Sequence, residues 1–315
     1  MCGPRIERGG GSIAQIGIPR ALYYFQYYAL WQRFLEGLGF DVAVSPPTNQ
    51  RILDWGLSTC VDGACLALKS YVGHSQALIA AGVERLFVPR IISVYRGEYT
   101  CPNFLGLPDL LRPYLPSGVK LLSPILDARK GQGKLTRSYL RFGLKAAPWA
   151  KVWRAWKEAC LMQRAAEISS QSALVPQGGL GVLVLGPRYL TDDPFLSGNL
   201  QGQLERLGAR VYSPCQVSDQ VSLRLSTNVE KPLFWSSARQ SVGSLEHFQE
   251  EIDGVVNLVP FGCGAESLIS VLIQRRAGAH GLPTLDLVVD EHTSYLGLLT
   301  RLEAFYELLE RKKSG

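Results

Sequence analysis

The sequence predicts an α/β protein with two doubly wound parallel-sheet lobes joined by a helical crossover segment. At both ends of the chain, short apolar runs alternate with segments of helical period. Such alternation is typical of a parallel sheet with helices on both faces. The middle, from about residue 116 to 179, is instead rich in Lys, Arg and Trp. Since the strand–helix pattern restarts after it, two lobes are the simplest architecture.

In the N-terminal half, Gly39 closes a long aromatic-rich helix, and Pro46 and Pro47 stop the second strand. Thr48 is then placed to cap the next helix. The elements predicted there are a strand 13–18, a helix 21–38, a strand 41–45, a helix from about 65 to 80 and a strand 85–88.

In the C-terminal half, Gly208 closes one helix and a turn at Asp253-Gly254 precedes the most apolar strand. The predicted strands are 181–186, 210–212, 231–235, 255–260 and 284–289, and the predicted helices are 199–207, 241–250, 265–279 and 294–311. Both halves therefore predict a flavodoxin- or Rossmann-like lobe, and we expect the two lobes to face each other across a cleft. The expected division is a tail 1–12, a lobe 13–117, a basic helical linker 118–179 and a lobe 180–315.

The bulk composition is that of a globular protein, with 46% hydrophobic and 19% charged residues. No apolar run reaches the roughly 18 residues of a membrane span. The Gly-rich residues 1–12 lack the apolar core of a signal peptide, so a cytoplasmic protein is expected. Seven cysteines in a chain of this size argue against a disulfide framework.

The net charge of +6 is concentrated in the middle of the chain. Eleven Lys and Arg residues lie between Gly118 and Arg164, opposed by Asp127 and Glu158. Without a nucleic-acid motif, a solvated linker surface is the first interpretation and a docking face the second. Trp149, Trp153 and Trp156 are spaced four and three residues apart, and this helical spacing predicts that all three bury against a lobe.

Three cysteines, Cys65, Cys101 and Cys263, each lie beside Gly or Pro where a strand passes into a loop or helix. Thiolates from three distant segments suggest an iron–sulfur cluster with one coordination position left open. A helix N-terminus favours the thiolate that metal binding requires. A zinc site completed by His74 is the main rival, although no Cys-x-x-Cys pair is present. Cys60 is an alternative ligand, and Cys2, Cys160 and Cys215 are expected to be uninvolved.

Five other residues are candidates for contacts with a substrate or with the cluster ligands. Arg20 and Arg90 each follow a strand-ending proline and could pair with a phosphate or carboxylate, and Lys69 carries the same argument. His74 and His292 could donate hydrogen bonds, against the alternatives of a structural histidine and a helix cap at Thr293.

Several fragments together resemble the acyl-CoA dehydratase activase-related proteins, distant relatives of the 2-hydroxyacyl-CoA dehydratase subunits. They are Ile16-Gly17-Ile18-Pro19-Arg20, Ala64-Cys65-Leu66, Val88-Pro89-Arg90, Cys101-Pro102, Pro260-Phe261-Gly262-Cys263-Gly264 and Asp290-Glu291-His292-Thr293. The resemblance implies a [4Fe-4S] cluster on Cys65, Cys101 and Cys263, or a double-cubane [8Fe-9S] cluster shared by two subunits. It also implies anaerobic metabolism and a partner ATPase of the activator type that injects low-potential electrons.

The resulting expectation is a cytoplasmic electron-transfer protein of an ATP-dependent reductase or dehydratase system. A ferredoxin- or flavodoxin-like donor and a homodimer or hetero-oligomer are compatible with it, whereas nucleic acid and membrane are not expected partners. The alternatives are a non-catalytic cluster scaffold, a metal-free ligand-binding module and a zinc protein.

Overall fold

The structure, a computed structural model, describes residues 14–172, 178–227, 233–293 and 295–314. The chain divides into two compact units, Met1–Glu167 and Ile168–Gly315. The predicted tail 1–12 lies outside the described residues, as do the first two residues of the strand predicted at 231–235.

The described part of the first unit contains six strands and the helices that connect them, and the last of these helices runs on past Glu167. Its elements are β1 Gln15–Ile18, α1 Tyr24–Leu38, β2 Asp41–Val44, α2 Gln50–Thr59, α3 Leu66–Ala80, β3 Arg85–Phe87, β4 Arg90–Ser93, α4 Pro102–Leu105, α5 Leu107–Leu111, β5 Lys120–Leu122, β6 Ile125–Asp127, α6 Gln132–Gly143 and α7 Trp149–Gln171.

The main sheet of the first unit is parallel, with the order β2-β1-β3-β5, and a second pair consists of β4 and β6. The β4–β6 pair continues the β3–β5 pair of the main sheet after an interruption at prolines. The N–H of Val88 still bonds the carbonyl of Leu122 (3.0 Å), and that of Arg90 bonds the carbonyl of Pro124 (2.9 Å). Since Pro89 has no N–H, the ladder breaks there and resumes as β4 and β6, which extend the sheet past its carboxyl edge.

The core of the first unit joins the sheet to α1, α6 and α7 through aromatic contacts. The indole N–H of Trp31 donates to the hydroxyl of Tyr139 at 3.0 Å in the buried interior. Tyr139 also stacks on Trp156, with ring centroids 4.9 Å apart. The expectation that the whole tryptophan stripe is buried is wrong for Trp149 and Trp153, which are 54% and 39% exposed. They lie on the helix face turned away from the core.

Among its described residues, the second unit has four strands that form one parallel sheet of order β10-β9-β7-β8. Its elements are β7 Gly181–Leu185, α8 Arg188–Thr191, α9 Leu200–Arg206, β8 Arg210–Tyr212, α10 Asp219–Leu225, α11 Ser236–Phe248, β9 Gly254–Pro260, α12 Gly264–Ala279, β10 Thr284–Val289 and α13 Tyr295–Ser314. All residues of β7 and β9 are buried, as expected for central strands covered by helices on both faces.

The prediction of two parallel-sheet lobes is confirmed, and both sheets have the same strand order. Counting along the chain within each unit, the main-sheet strands lie in the order second, first, third, fourth. In the segment expected to be a helical linker, 118–179, two short strands (β5 and β6) precede the helices, and the units divide after Glu167. Within the described ranges, no helix combines the length and hydrophobicity needed to cross a membrane.

Candidate functional site

The three predicted cysteine ligands share one local structure, since each is the N-cap residue of a helix. Cys65 precedes α3, Cys101 precedes α4 and Cys263 precedes α12. All three have extended backbone angles and are partly exposed. At an N-cap the side chain lies beside unpaired backbone N–H groups, and these favour a negatively charged group such as a thiolate.

The carboxyl edge of the first sheet is where Cys65 projects. Ser45, directly after β2, contacts His74 in the middle of α3, while Leu78 near the end of α3 packs against Gly17 of β1. The first two turns of α3 therefore extend past the ends of the strands. This edge is where open α/β sheets bind ligands.

Cys101 is held near the same edge by its neighbours. The hydroxyl of Thr100 donates to the carbonyl of Ile91 (2.5 Å), and its N–H bonds the carbonyl of Ile92 (3.1 Å), which fixes the chain against β4. Two residues after Cys101, the amide of Asn103 donates to the Cys65 sulfur at 3.5 Å. The structure thus brings the start of α4 against the start of α3, and two of the three predicted ligands lie in one neighbourhood.

Cys263 is positioned in the second unit by a tight turn after the buried strand β9. Gly262 has a φ of 70°, a conformation that residues with a Cβ rarely adopt, and the N–H of Cys263 bonds the carbonyl of Pro260 at 3.1 Å. The carbonyl of Cys263 accepts bonds from both the N–H and the hydroxyl of Ser267. Cys101 and Cys263 both follow the third main-sheet strand of their unit.

The remaining described cysteines have a different chemical environment. Burial raises the pKa of Cys60 and of Cys160 to about 11, and it also raises the pKa of Cys215. These side chains remain neutral thiols near neutral pH, consistent with packing roles. Among the described residues, no group of three or more His, Cys, Asp or Glu side chains is arranged to hold a metal ion.

His74 is fully buried, and both of its ring nitrogens have hydroxyl partners. Nδ1 lies 2.9 Å from the Ser45 hydroxyl and Nε2 lies 2.9 Å from that of Thr48. Burial, aided by the nearby Arg20 guanidinium, lowers the pKa of His74 to about 3. The ring is therefore neutral and ties α3 to the chain that follows β2; ligation of a metal would require one of these hydrogen bonds to break.

Arg20 lies at the carboxyl end of β1 and is partly exposed. Its N–H donates to the Ser45 hydroxyl (2.7 Å), and its guanidinium lies 5.8 Å from the ring centroid of Tyr24. No described carboxylate forms an ion pair with it. Lys69, one turn after Cys65, is 4% exposed, and its charge acts to lower the pKa of Cys60 against the larger effect of burial.

Arg90 is held by side-chain hydrogen bonds to neighbouring helices, whereas His292 lies in an exposed turn. Arg90 donates to the Asp109 carboxylate (2.6 Å) and to the carbonyl of Leu105 (2.9 Å), so it fastens α4 and α5 beside β4 and supports the Cys101 segment. His292 lies in an exposed turn after β10, where its N–H bonds the Asp290 carboxylate at 2.9 Å. The Thr293 hydroxyl closes the same turn by accepting from the Asp290 N–H.

Sequence reasoning missed an apolar pocket at the switch point between β1 and β3. The loop after β1 supplies Leu22 and Tyr23, and Pro89, Phe104 and Tyr71 complete much of its lining. Leu22 has a φ of 56°, which is unusual for a side chain of this size. The pocket arises from residues distant in sequence, so only the expected switch point could have indicated it.

A buried carboxyl group beside Cys263 was also missed. Glu266 lies in the first turn of α12, and burial raises its pKa to about 7, while a hydrogen bond from Ser237 opposes that shift. An acidic residue three positions after a helix N-cap is the signal that sequence alone offered.

Comparison with protein-family models identifies the family to which the chain belongs. The family model of the CoA enzyme activase uncharacterised domain (DUF2229) matches residues 15–217, more than half of the chain. The chain belongs to this family. The resemblance predicted from the sequence fragments is therefore confirmed at the level of the family.

The matched range of this activase-related protein spans the first unit and the start of the second. It contains Cys65 and Cys101, whereas Cys263 follows it. No curated protein matches the chain.

The solved structures that are similar over most of their length include a crystal structure of ZnuA and a ZnuA deletion mutant (138–173) with zinc bound. They are 11% and 12% identical, cover 95% of this chain and 99% and 97% of their own, and have TM-scores of 0.28 and 0.27. A likeness this low carries no argument about function.

Proposed function

We propose that this activase-related protein is an iron–sulfur protein that receives low-potential electrons from an ATP-hydrolysing partner and passes them on. The observation that carries the proposal is the shared N-cap placement of Cys65, Cys101 and Cys263. A family linked to CoA enzyme activases is compatible with such a role. When bound, the cluster would supply reversible one-electron chemistry tuned by its surroundings.

The residues present suit such a group chemically. Three cysteine side chains at helix N-termini offer the sulfur ligands that such a cluster needs, and the nearby N–H groups would offset the charge of a metal-bound thiolate. Asn103 already donates to the Cys65 sulfur, and hydrogen bonds to ligand sulfurs are one means by which proteins raise cluster potentials. The buried charge of Lys69 would act in the same direction. A set of three ligands leaves one coordination position for a substrate or a further ligand.

The first experiment measures iron, acid-labile sulfide and zinc in protein purified without oxygen, together with the visible spectrum. About four irons and four sulfides per chain are expected for a [4Fe-4S] cluster. Stoichiometric zinc would instead identify a zinc protein, and a colourless, metal-free protein would leave a binding module. Colour without reduction by reductant and ATPase partner would indicate a scaffold.

Matched cysteine variants then test the ligand assignment. Cys65→Ser, Cys101→Ser and Cys263→Ser should each lose most of the bound iron, because each removes one of three ligands. Cys160→Ser and Cys215→Ser serve as controls, since these thiols are kept neutral by burial, and they should retain wild-type iron. Wild-type iron content in any of the first three variants would remove that residue from the ligand set.

A further inference from the structure

The outward face of α7 presents large apolar and basic side chains together. Trp149, Trp153 and Leu161 are 54%, 39% and 68% exposed. Trp149 stacks on Trp153 with ring centroids 5.7 Å apart, and the Lys157 ammonium lies 5.3 Å from the Trp153 ring centroid. Positions 149, 153, 157 and 161 follow one another at intervals of four, so they form one stripe along the helix. We call it the α7 stripe.

The positive charge around the α7 stripe is not neutralised within the described part of the chain. The acidic residues between Gly118 and the end of α7 have other partners: Asp127 pairs with Arg129 and Lys134, Glu158 pairs with Arg33, and Glu167, which lies beyond the stripe, accepts from the Gln163 amide. The exposed cations on α6, on α7 and in the turn between them form no ion pair with described residues; they are Arg137, Arg141, Lys145, Arg154, Lys157 and Arg164.

We propose that the α7 stripe is the docking surface for an acidic electron-carrier protein. Exposed Trp side chains amid Arg are the composition of interaction hot spots, and the cationic surround calls for acidic groups opposite. The stripe from Trp149 to Leu161 is about 18 Å long at 1.5 Å per residue. A surface of that length suits the small contacts of electron-transfer encounters, which bury less than about 1,200 Å² in total. The statement that this contact serves electron transfer rests on the proposed function.

Two other classes of partner fit the stripe less well. Nucleotide bases need open aromatic faces, but Trp149 and Trp153 cover one another and Lys157 lies over Trp153. A helix that lies in a membrane separates its apolar face from its charged face. Here the apolar face of α7, with Val152, Ala155 and Ala159, is already buried in the first unit, and the outward face mixes both kinds of side chain.

The test measures binding of two acidic probes, a plant-type ferredoxin and a flavodoxin, to the full chain by titration. Binding of at least one probe is expected, with affinity falling as salt rises from about 50 to 500 mM because exposed charges are screened. Trp153→Ala should weaken it about tenfold, as for a hot-spot residue. Lys157→Glu should slow association severalfold, and melting temperature should stay unchanged in both variants because both positions are exposed.

Arg51→Glu is the matched control, since Arg51 is an exposed cation that also lies over a tryptophan ring, 4.6 Å from the centroid of Trp55. The affinity of Arg51→Glu for the acidic probes should equal that of the wild type. Binding of neither probe would overturn the proposal. Loss of probe binding in Arg51→Glu alone would also overturn it. The same holds if oligo-dT or phosphatidylglycerol vesicles bind in a Trp153-dependent manner in place of the two proteins.

The docking assay is separable from the cluster assay because it does not require iron. If the iron measurement fails while Trp153-dependent binding persists, the electron-transfer role falls and the docking surface stands. If cysteine-dependent iron is present while both probes fail to bind, only the docking inference falls.

Discussion

The crossing of α2 and α3 should be intolerant of a single methyl group at Gly73. A Cβ built there would lie 2.0 Å from the carbonyl oxygen of Ile52 and 2.9 Å from its carbonyl carbon. Both atoms belong to the backbone, so no side-chain rotation relieves the clash and the helices must separate by about 1 Å. Overpacking of this kind costs about 1–3 kcal/mol. This steric cost opposes the gain in helix propensity of up to about 1 kcal/mol that alanine has over glycine within a helix.

We therefore expect Gly73→Ala to destabilise the first unit by up to about 2 kcal/mol, or up to roughly 8 °C in melting temperature for a unit of this size. Gly133→Ala is the control, because this helical glycine of α6 has no atom within 4 Å of a built Cβ. It should leave stability unchanged or raise it. Thermal unfolding followed by circular dichroism measures both. A melting temperature of Gly73→Ala equal to or above that of Gly133→Ala would refute the steric argument.

Three further outcomes are expected. His74 is neutral in the fold with its pKa lowered to about 3, so the unfolded chain takes up a proton first and stability should fall as pH drops from about 6.5 towards 3. In His74→Gln the unfolding free energy should depend less on pH over that range, and an unchanged slope would count against the buried neutral ring. Tyr139→Phe leaves the buried Trp31 indole N–H without its acceptor and should cost about 1–3 kcal/mol in denaturant unfolding; a loss below about 0.5 kcal/mol would contradict this. Arg90→Met breaks a pair whose Asp109 partner is largely exposed, so stability should change by less than about 1 kcal/mol while proteolysis between β4 and α5 becomes faster.

The fold class and the helix starts at Cys65 and Cys263 could be predicted from the sequence because local signals are strong there, whereas the short helix α4 after Cys101 was not predicted. Gly and Pro mark the ends of elements, and the apolar strands of both halves are bounded by them. The observed starts of α3 and α12 lie within one residue of the predicted ones.

Other features could not be predicted because they depend on which neighbour a residue meets. β5 and β6 have three residues each, too short for a period to show, and they form only because β3 and β4 lie beside them. The spacing of the tryptophans indicated that they share one side of a helix. It did not indicate which of them the core would cover. Likewise, the hydroxyl partners of His74 come from a segment 26 to 29 residues away.

The use of cysteine at three helix starts has a thermodynamic consequence for the metal-free protein. The thiols of Cys65, Cys101 and Cys263 make no capping hydrogen bond to their own helices, where Ser, Asp or Asn would contribute about 1 kcal/mol each. Under the proposed ligand assignment, each of these positions gives up helix stability in exchange for a sulfur ligand. In protein stripped of metal, Cys65→Asp should raise the melting temperature. If the proposed ligand assignment holds, replacing the cysteines at these helix starts therefore removes metal binding and at the same time raises the stability of the metal-free chain.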